Sequence, residues 1–83
     1  MSEKNLAELR ELLVLRHRLS RLWKDELAIQ DALNAARPLR IIKPNIMQAA
    51  SEATAGRLLA INLRLTDITT RVAGVVELEE SEA

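Results

Sequence analysis

With 83 residues, the chain has the size of one small domain, for which a single hydrophobic core is marginal without disulfides, a metal or self-association. It has no cysteine and one histidine, His17, so disulfides and a structural zinc site with four Cys or His ligands are excluded. Twelve Lys or Arg balance twelve Asp or Glu, and a net charge of zero argues against a dedicated nucleic-acid coat.

The first predicted element is a helix over residues 5–36. Asn5 followed by Glu8 has the spacing of a capping box, and Ser2 is a competing cap one turn earlier. Pro38 has no backbone N–H and its ring clashes with the preceding turn, so the helix is expected to end at about Ala36 or Arg37.

Apolar residues repeat along this helix at heptad spacing, which predicts a seam packed against a second helix. The two predicted rows of the seam are Leu12, Leu19, Glu26 and Leu33, and beside them Leu15, Leu22, Ile29 and Ala36. Glu26 is the interruption in an otherwise apolar pattern.

Further apolar residues flank this seam and widen the apolar arc to roughly 160°. They are Leu6, Leu9, Leu13, Trp23 and Leu27. One neighbouring helix is too narrow to cover such an arc, so a second copy of the chain or a foreign protein is expected to cover the rest. These five residues are therefore candidate partner-binding residues.

The opposite side of the helix carries a basic stripe, formed by Arg10, His17, Arg18, Arg21 and Lys24. An ordinary solvated helix face, with intrahelical pairs such as Arg21 with Asp25, is the favoured interpretation. The alternative is a ridge that contacts nucleic-acid phosphates. That alternative lacks the interleaved aromatic residues that are usual in single-strand binders.

Residues 37–45 hold both prolines and form a predicted pivot between two helical halves. The apolar side chains of Leu39, Ile41 and Ile42 are expected to cap the end of a helical bundle. The alternative is an exposed docking loop, in which these three residues and Arg40 contact a partner.

A second helix is predicted over residues 45–76, with Asn45 as its N-cap and Gln48 in the capping-box position. Its seam runs through Leu58, Leu65 and Val72, with Met47, Ile61, Ile68 and Val75 between them.

Two segments of this half have unusual composition. Residues 49–56 are mostly small, which predicts a close helix approach there, with the bulky Trp23 lying in the neighbourhood of Leu59 and Gly56. Residues 77–83 form an acidic tail that is expected to fray, because a helix C-terminus disfavours negative charge.

In an antiparallel hairpin folded at residues 40–41, residue i lies near residue 82 − i, which places Glu26 beside Arg57. We expect these two to form a structural polar pair in the seam. Arg57, Arg64 and Arg71 recur every seven residues, as a flanking row of interhelical salt bridges or, alternatively, as an anion-binding row.

The predicted fold is all-α: an antiparallel two-helix hairpin, similar to a coiled coil, that forms one domain over residues 1–83 and dimerises into a four-helix bundle. Residues 1–43 carry nine Lys or Arg against six acids, and residues 44–83 carry three against six. Halves of opposite charge favour folding back or pairing with a second chain.

No motif for nucleotide binding, metal hydrolysis or nucleophilic catalysis is present, so we predict no catalytic residue, no cofactor and no metal site. The predicted function is non-catalytic protein–protein interaction, as an adaptor, an assembly chaperone or an inhibitor of a larger protein. Nucleic-acid binding through the basic stripe is the alternative, and a helical-bundle enzyme that clamps a dianion is a third. A cytoplasmic location without membrane insertion is expected, since the sequence shows neither a signal peptide nor a membrane span.

Overall fold

The computed structural model describes residues 2–82 and shows two long helices that pack against each other. Helix α1 spans Glu3–Ala36, a short 3₁₀ turn follows at Arg37–Leu39, and helix α2 spans Pro44–Glu82. No strand occurs in this part of the chain, which confirms the all-α helical hairpin. Met1 and Ala83, the ends of the predicted domain and acidic tail, lie outside the described residues.

The N-terminus of α1 is capped by Ser2, the residue that the sequence offered as the competing cap. Ser2 is extended, and its Oγ accepts a hydrogen bond from the backbone N–H of Asn5 at 3.2 Å. Asn5 lies inside the helix, where its side chain donates to Glu79 Oε1 at 2.7 Å. Asn5, the predicted cap of α1, therefore contacts α2 instead.

The connector reverses the chain at Arg40. Among the described residues, Arg40 is the non-glycine residue with a positive φ, which is 55°. The sequence predicts that α2 starts after Pro44, but Pro44 is its first residue. Proline fits this position because the backbone N–H of the first helical residue has no partner within the helix. Asn45 therefore lies within the helix. Gln48 is not part of a capping box, since its side chain donates to Glu52 Oε1 at 3.0 Å.

The seam buries one stripe of each helix. On α2 four residues of the predicted seam are buried, Met47, Leu58, Ile68 and Val75, and so is Thr54, which the predicted seam did not include. On α1, Leu12 is buried and forms a cluster with Ile68 and Val75. Leu9, Leu19 and Val72 pack against that cluster.

One of the two rows predicted for the α1 seam is wrong. Leu15, Leu22 and Ile29 are 46%, 51% and 45% exposed. The row beside Leu12 and Leu19 that faces α2 lies on the other side and contains the half-buried Leu9 and Trp23. The flank that packs inward also contains Arg16 and Gln30, whereas the Leu15 row is apolar throughout, so heptad spacing alone favours the wrong flank.

The close approach predicted at Gly56 is also absent. Gly56 is exposed, and a Cβ added there would meet nothing within 4 Å, so Trp23 does not pack against it. The small buried residue in this part of α2 is Thr54, which is 1% exposed and whose hydroxyl donates to the carbonyl of Ser51 at 3.0 Å.

Helix α2 continues to Glu82 and does not end near Val76. Glu79 holds the last turns to the start of α1, because its Oε1 accepts hydrogen bonds from Asn5 Nδ2 at 2.7 Å and from the backbone N–H of Ser2 at 3.2 Å. We call Ser2, Asn5 and Glu79 the terminal clasp. These contacts, the Asn5 hydrogen bond foremost, hold the pKa of Glu79 below its ordinary value.

Removing the clasp should allow the end of α2 to fray. In Glu79→Ala, the Cα chemical shifts of residues 77–82 are expected to move toward coil values, because the acidic last turns lose their attachment to α1. The matched control is Glu80→Ala, which removes an exposed neighbour and should leave the same shifts helical. Equal fraying in both variants would contradict the clasp.

The same clasp should weaken in acid. A carboxyl whose pKa is lowered by folding stabilises the folded state above its unfolded pKa, and that contribution is lost as the pH falls through the lowered native pKa. The Cα chemical shifts of residues 77–82 should therefore move toward coil values as the wild type is acidified, and this move should be smaller in Glu79→Ala, in which the clasp is already lost at neutral pH.

Candidate interaction surfaces

The structure brings Glu26 and Arg57 together. Arg57 Nε lies 2.6 Å from Glu26 Oε1. Glu26 occupies the seam row and its side chain is 15% exposed, whereas Arg57 reaches it from the flank of α2 and stays 52% exposed. The second carboxylate oxygen, Oε2, is buried without a hydrogen-bond partner. The pair is therefore half satisfied, and its stability depends on Arg57.

The other arginines of the row differ from Arg57. Arg71 Nε lies 3.2 Å from Asp67 Oδ2, one turn earlier on the same helix. Arg64 forms no ion pair with the described residues. Leu15, Arg64, Asp67 and Arg71 line one shallow cleft of about 220 Å³. Acids therefore offset two of the three charges that an anion-binding row would need.

This cleft identifies one side of the hairpin, which we call the arginine face. Because Leu15 lies beside Arg64 and Arg71, the heptad repeats on both helices place the whole of each row on this side. The face is formed by Leu15, Leu22 and Ile29 on α1, and by Arg57, Arg64 and Arg71 on α2. An exposed apolar row thus runs next to a cationic row.

The other side of the hairpin, which we call the uncharged face, has a different composition. It contains the residues on the opposite flank of each seam row. On α1 these are Leu6, Leu13, Ser20, Leu27 and Asn34. On α2 they are Gln48, Ala55, Asn62, Thr69 and Val76. None of these ten side chains is charged, so the two rows themselves bring no charge to an interface, although the exposed Arg16 and Lys24 lie one helical turn from Ser20 at the edge of the α1 row.

The candidate partner-binding residues of α1 divide between the seam and this surface. Leu9 and Trp23 are half-buried on the flank of the Leu12 row that faces α2, and Leu9 packs against the core cluster, so both lie closer to the seam than Leu6 or Leu13. Leu6 and Leu13 are 37% and 38% exposed, and Leu27 is half-buried; all three lie on the uncharged face.

The connector is exposed and does not cap a bundle end within one chain. Leu39 and Ile41 are 67% and 73% exposed, Arg40 is exposed and Ile42 is half-buried. A cleft of about 630 Å³ opens here, lined by Arg37, Arg40, Ile41, Ile42, Lys43, Pro44, Met47 and Gln48. Its three cations have no acid among the lining residues, so this end of the hairpin is electropositive.

The five residues of the basic stripe are all exposed, and the helix orders them along its outer side. Arg21 makes no ion pair with Asp25, although their spacing predicted one. Arg10 and Arg18 border a shallow depression together with Glu11, so acids interrupt the stripe. The structure gathers these cations on one helix but does not form a pocket from them.

Sequence reasoning missed two features of these surfaces. The heptad pattern assigns the row Leu15, Leu22 and Ile29 to the seam, whereas the structure exposes it. The heptad-spaced arginines of α2 are a sequence signal for this exposed row, because an antiparallel hairpin sets them beside one flank of α1. The terminal clasp was missed because Glu79 lies two residues from the position that the simple register pairs with Asn5.

No family model matches this chain, and no curated protein or solved structure is found to be similar to it. Within residues 2–82, neither helix contains a stretch long and apolar enough to cross a membrane.

The half-satisfied pair predicts an asymmetry between its two partners. Arg57→Leu is expected to lower the free energy of unfolding by about 1–2 kcal/mol, because the partly buried carboxylate loses its partner. Glu26→Leu should be neutral or stabilising by up to about 2 kcal/mol, because it completes the apolar seam while Arg57 stays in water. The double variant should resemble Glu26→Leu.

Urea unfolding at one fixed protein concentration measures these effects. Arg64→Leu is the matched control, since it removes the next arginine of the row without breaking an ion pair, and it should change stability by less than about 0.5 kcal/mol. Equal losses in Glu26→Leu and Arg57→Leu would show that the carboxylate is not the unfavourable member of the pair.

Proposed function

We propose that this protein acts without catalysis, by binding other protein molecules, and that it forms a homodimer with the architecture of a four-helix bundle. One observation carries the proposal. Among residues 2–82, five apolar side chains are buried, whereas thirteen large apolar side chains are at least 37% exposed. Exposed apolar surface on this scale is typical of interaction sites.

The shape of the hairpin explains why the surface stays exposed. Its Cα atoms occupy 61 × 14 × 14 Å, so the molecule is a single layer of two helices and has no second layer to cover its faces. A second copy supplies that layer in a four-helix bundle. An adaptor, an assembly chaperone or an inhibitor in the cytoplasm would use the remaining face for a foreign protein.

Nucleic-acid binding through the basic stripe is the second candidate, favoured by five exposed basic side chains that form no ion pair with other residues in the described part of the chain. Its support is weaker because Glu11 borders the stripe and no aromatic side chain lies within it. The anion-clamping enzyme has less support still, because Glu26 and Asp67 neutralise two of the three arginines of the row.

Sedimentation equilibrium at micromolar concentration is expected to give about twice the 9.3 kDa mass of the chain. Association removes exposed apolar side chains from water, which favours the dimer. A stable, well-folded monomer across this range would contradict the homodimer. It would leave the apolar faces to a foreign protein, which affinity capture from the native host and mass spectrometry would then identify.

A salt titration distinguishes the two leading candidates. We expect no binding of labelled RNA or DNA at physiological salt, because the net charge is zero and acids interrupt the stripe. Binding that weakens steeply with salt and is lost in an Arg18→Gln, Arg21→Gln variant would support the nucleic-acid candidate. The control is Arg64→Gln, which removes a cation from the other helix.

A further inference from the structure

We infer that a second copy of this chain binds to the uncharged face, with the two connectors at opposite ends of the bundle. The inference rests on the proposed homodimer and specifies its face and its orientation. Three features of the described residues lead to it: the charge of the two faces, the spacing of residues along the uncharged face, and the charge at the two ends.

The arginine face is unsuited to self-association. In a two-fold dimer with connectors at opposite ends, each helix pairs with its own copy in antiparallel direction, so a two-fold axis at Arg64 would set Arg64 against the second copy's Arg64 and Arg57 against its Arg71. Like charges opposed across an interface are unfavourable. With connectors at the same end, the arginines would cover the Leu22 row, and Arg64, which has no acid partner among the described residues, would lose water.

The uncharged face matches its own copy in the antiparallel orientation. A two-fold interface requires that residue i contact j while j contacts i. Leu13 and Leu27 each lie seven residues from Ser20, so a two-fold axis at Ser20 places Leu13 against the second copy's Leu27. On this side, leucine meets leucine and the small Ser20 meets itself.

Helix α2 satisfies the same axis. Glu26 is level with Arg57 and Asn5 with Glu79, so Ser20 is level with residues 63–64, close to Asn62. Ala55 and Thr69 each lie seven residues from Asn62 and would face each other between the copies. Both helices can therefore obey one two-fold axis, with the polar Ser20 and Asn62 near the axis and apolar or small residues in the flanking contacts.

The ends of the hairpin have opposite charge, which selects the orientation. Residues 37–43 contain three cations and no acid, whereas residues 77–82 contain four acids and no cation. Connectors at opposite ends bring Arg37, Arg40 and Lys43 of each copy toward the acidic end of the other. Connectors at the same end would place cations beside cations and acids beside acids.

Single cysteines test the face and the orientation, because the chain has no cysteine of its own. Ser20→Cys and Asn62→Cys lie near the axis and are expected to form disulfide-linked dimers under mild oxidation, which requires Cα atoms about 4.4–6.8 Å apart. Leu22→Cys on the arginine face and Ile41→Cys in the connector should stay largely unlinked. Non-reducing electrophoresis and mass spectrometry measure the linked fraction.

A matched pair of charge variants tests the face independently. Leu13→Glu should raise the dimer dissociation constant at least about tenfold, whereas Leu22→Glu, an identical change on the arginine face, should change it less than about threefold. Circular dichroism checks that both variants remain helical. Sedimentation gives the dissociation constants.

The outcomes separate this inference from the proposed function. Linkage of Leu22→Cys together with loss of the dimer in Leu22→Glu would show that the two copies associate through the arginine face. The homodimer would then stand, but the face inferred here would be wrong. Efficient linkage of Ile41→Cys would overturn the orientation. A wild type that sediments as a monomer would overturn the proposed homodimer, and this inference with it.

Discussion

A helix with a single neighbour can bury only one stripe of its surface, and this constraint governs the whole molecule. In the seam, Leu12, Ile68 and Val75 exclude water, but the residues on either flank of each row remain in contact with it. Stability therefore depends on a narrow line of contacts. The apolar flanks, which would be core in a thicker fold, become surface available for binding.

The narrow seam also explains how Glu26 is accommodated. A carboxylate inside a broad core would be desolvated on all sides, at a cost that one ion pair seldom recovers. Here Arg57 reaches Glu26 from the flank while remaining half in water. Together with the terminal clasp between Asn5 and Glu79, this pair connects the helices at two separated levels and fixes their register.

The two sides of the hairpin offer different chemistry, although the same two helices form both. The arginine face combines the exposed row of Leu22 with guanidinium groups, a combination suited to an acidic apolar partner. The ten residues of the uncharged face carry no charge, which suits a partner of the same composition. This asymmetry arises from the heptad position of one row, since the arginines occur on a single flank of α2.

The sequence by itself determined the two helices, the break at Pro38, the apolar residues of the α2 seam and the level at which Glu26 meets Arg57. Each of these follows from short-range geometry: heptad spacing, proline stereochemistry and the length of an antiparallel hairpin. Only the tertiary structure decided which flank of the Leu12 row packs inward, because heptad spacing favours the wholly apolar Leu15 row, whereas the flank that faces α2 contains Arg16. It also decided the end of α2, because Asn5 and Glu79 are distant in the chain and local propensity at residues 77–82 gives no sign of their contact.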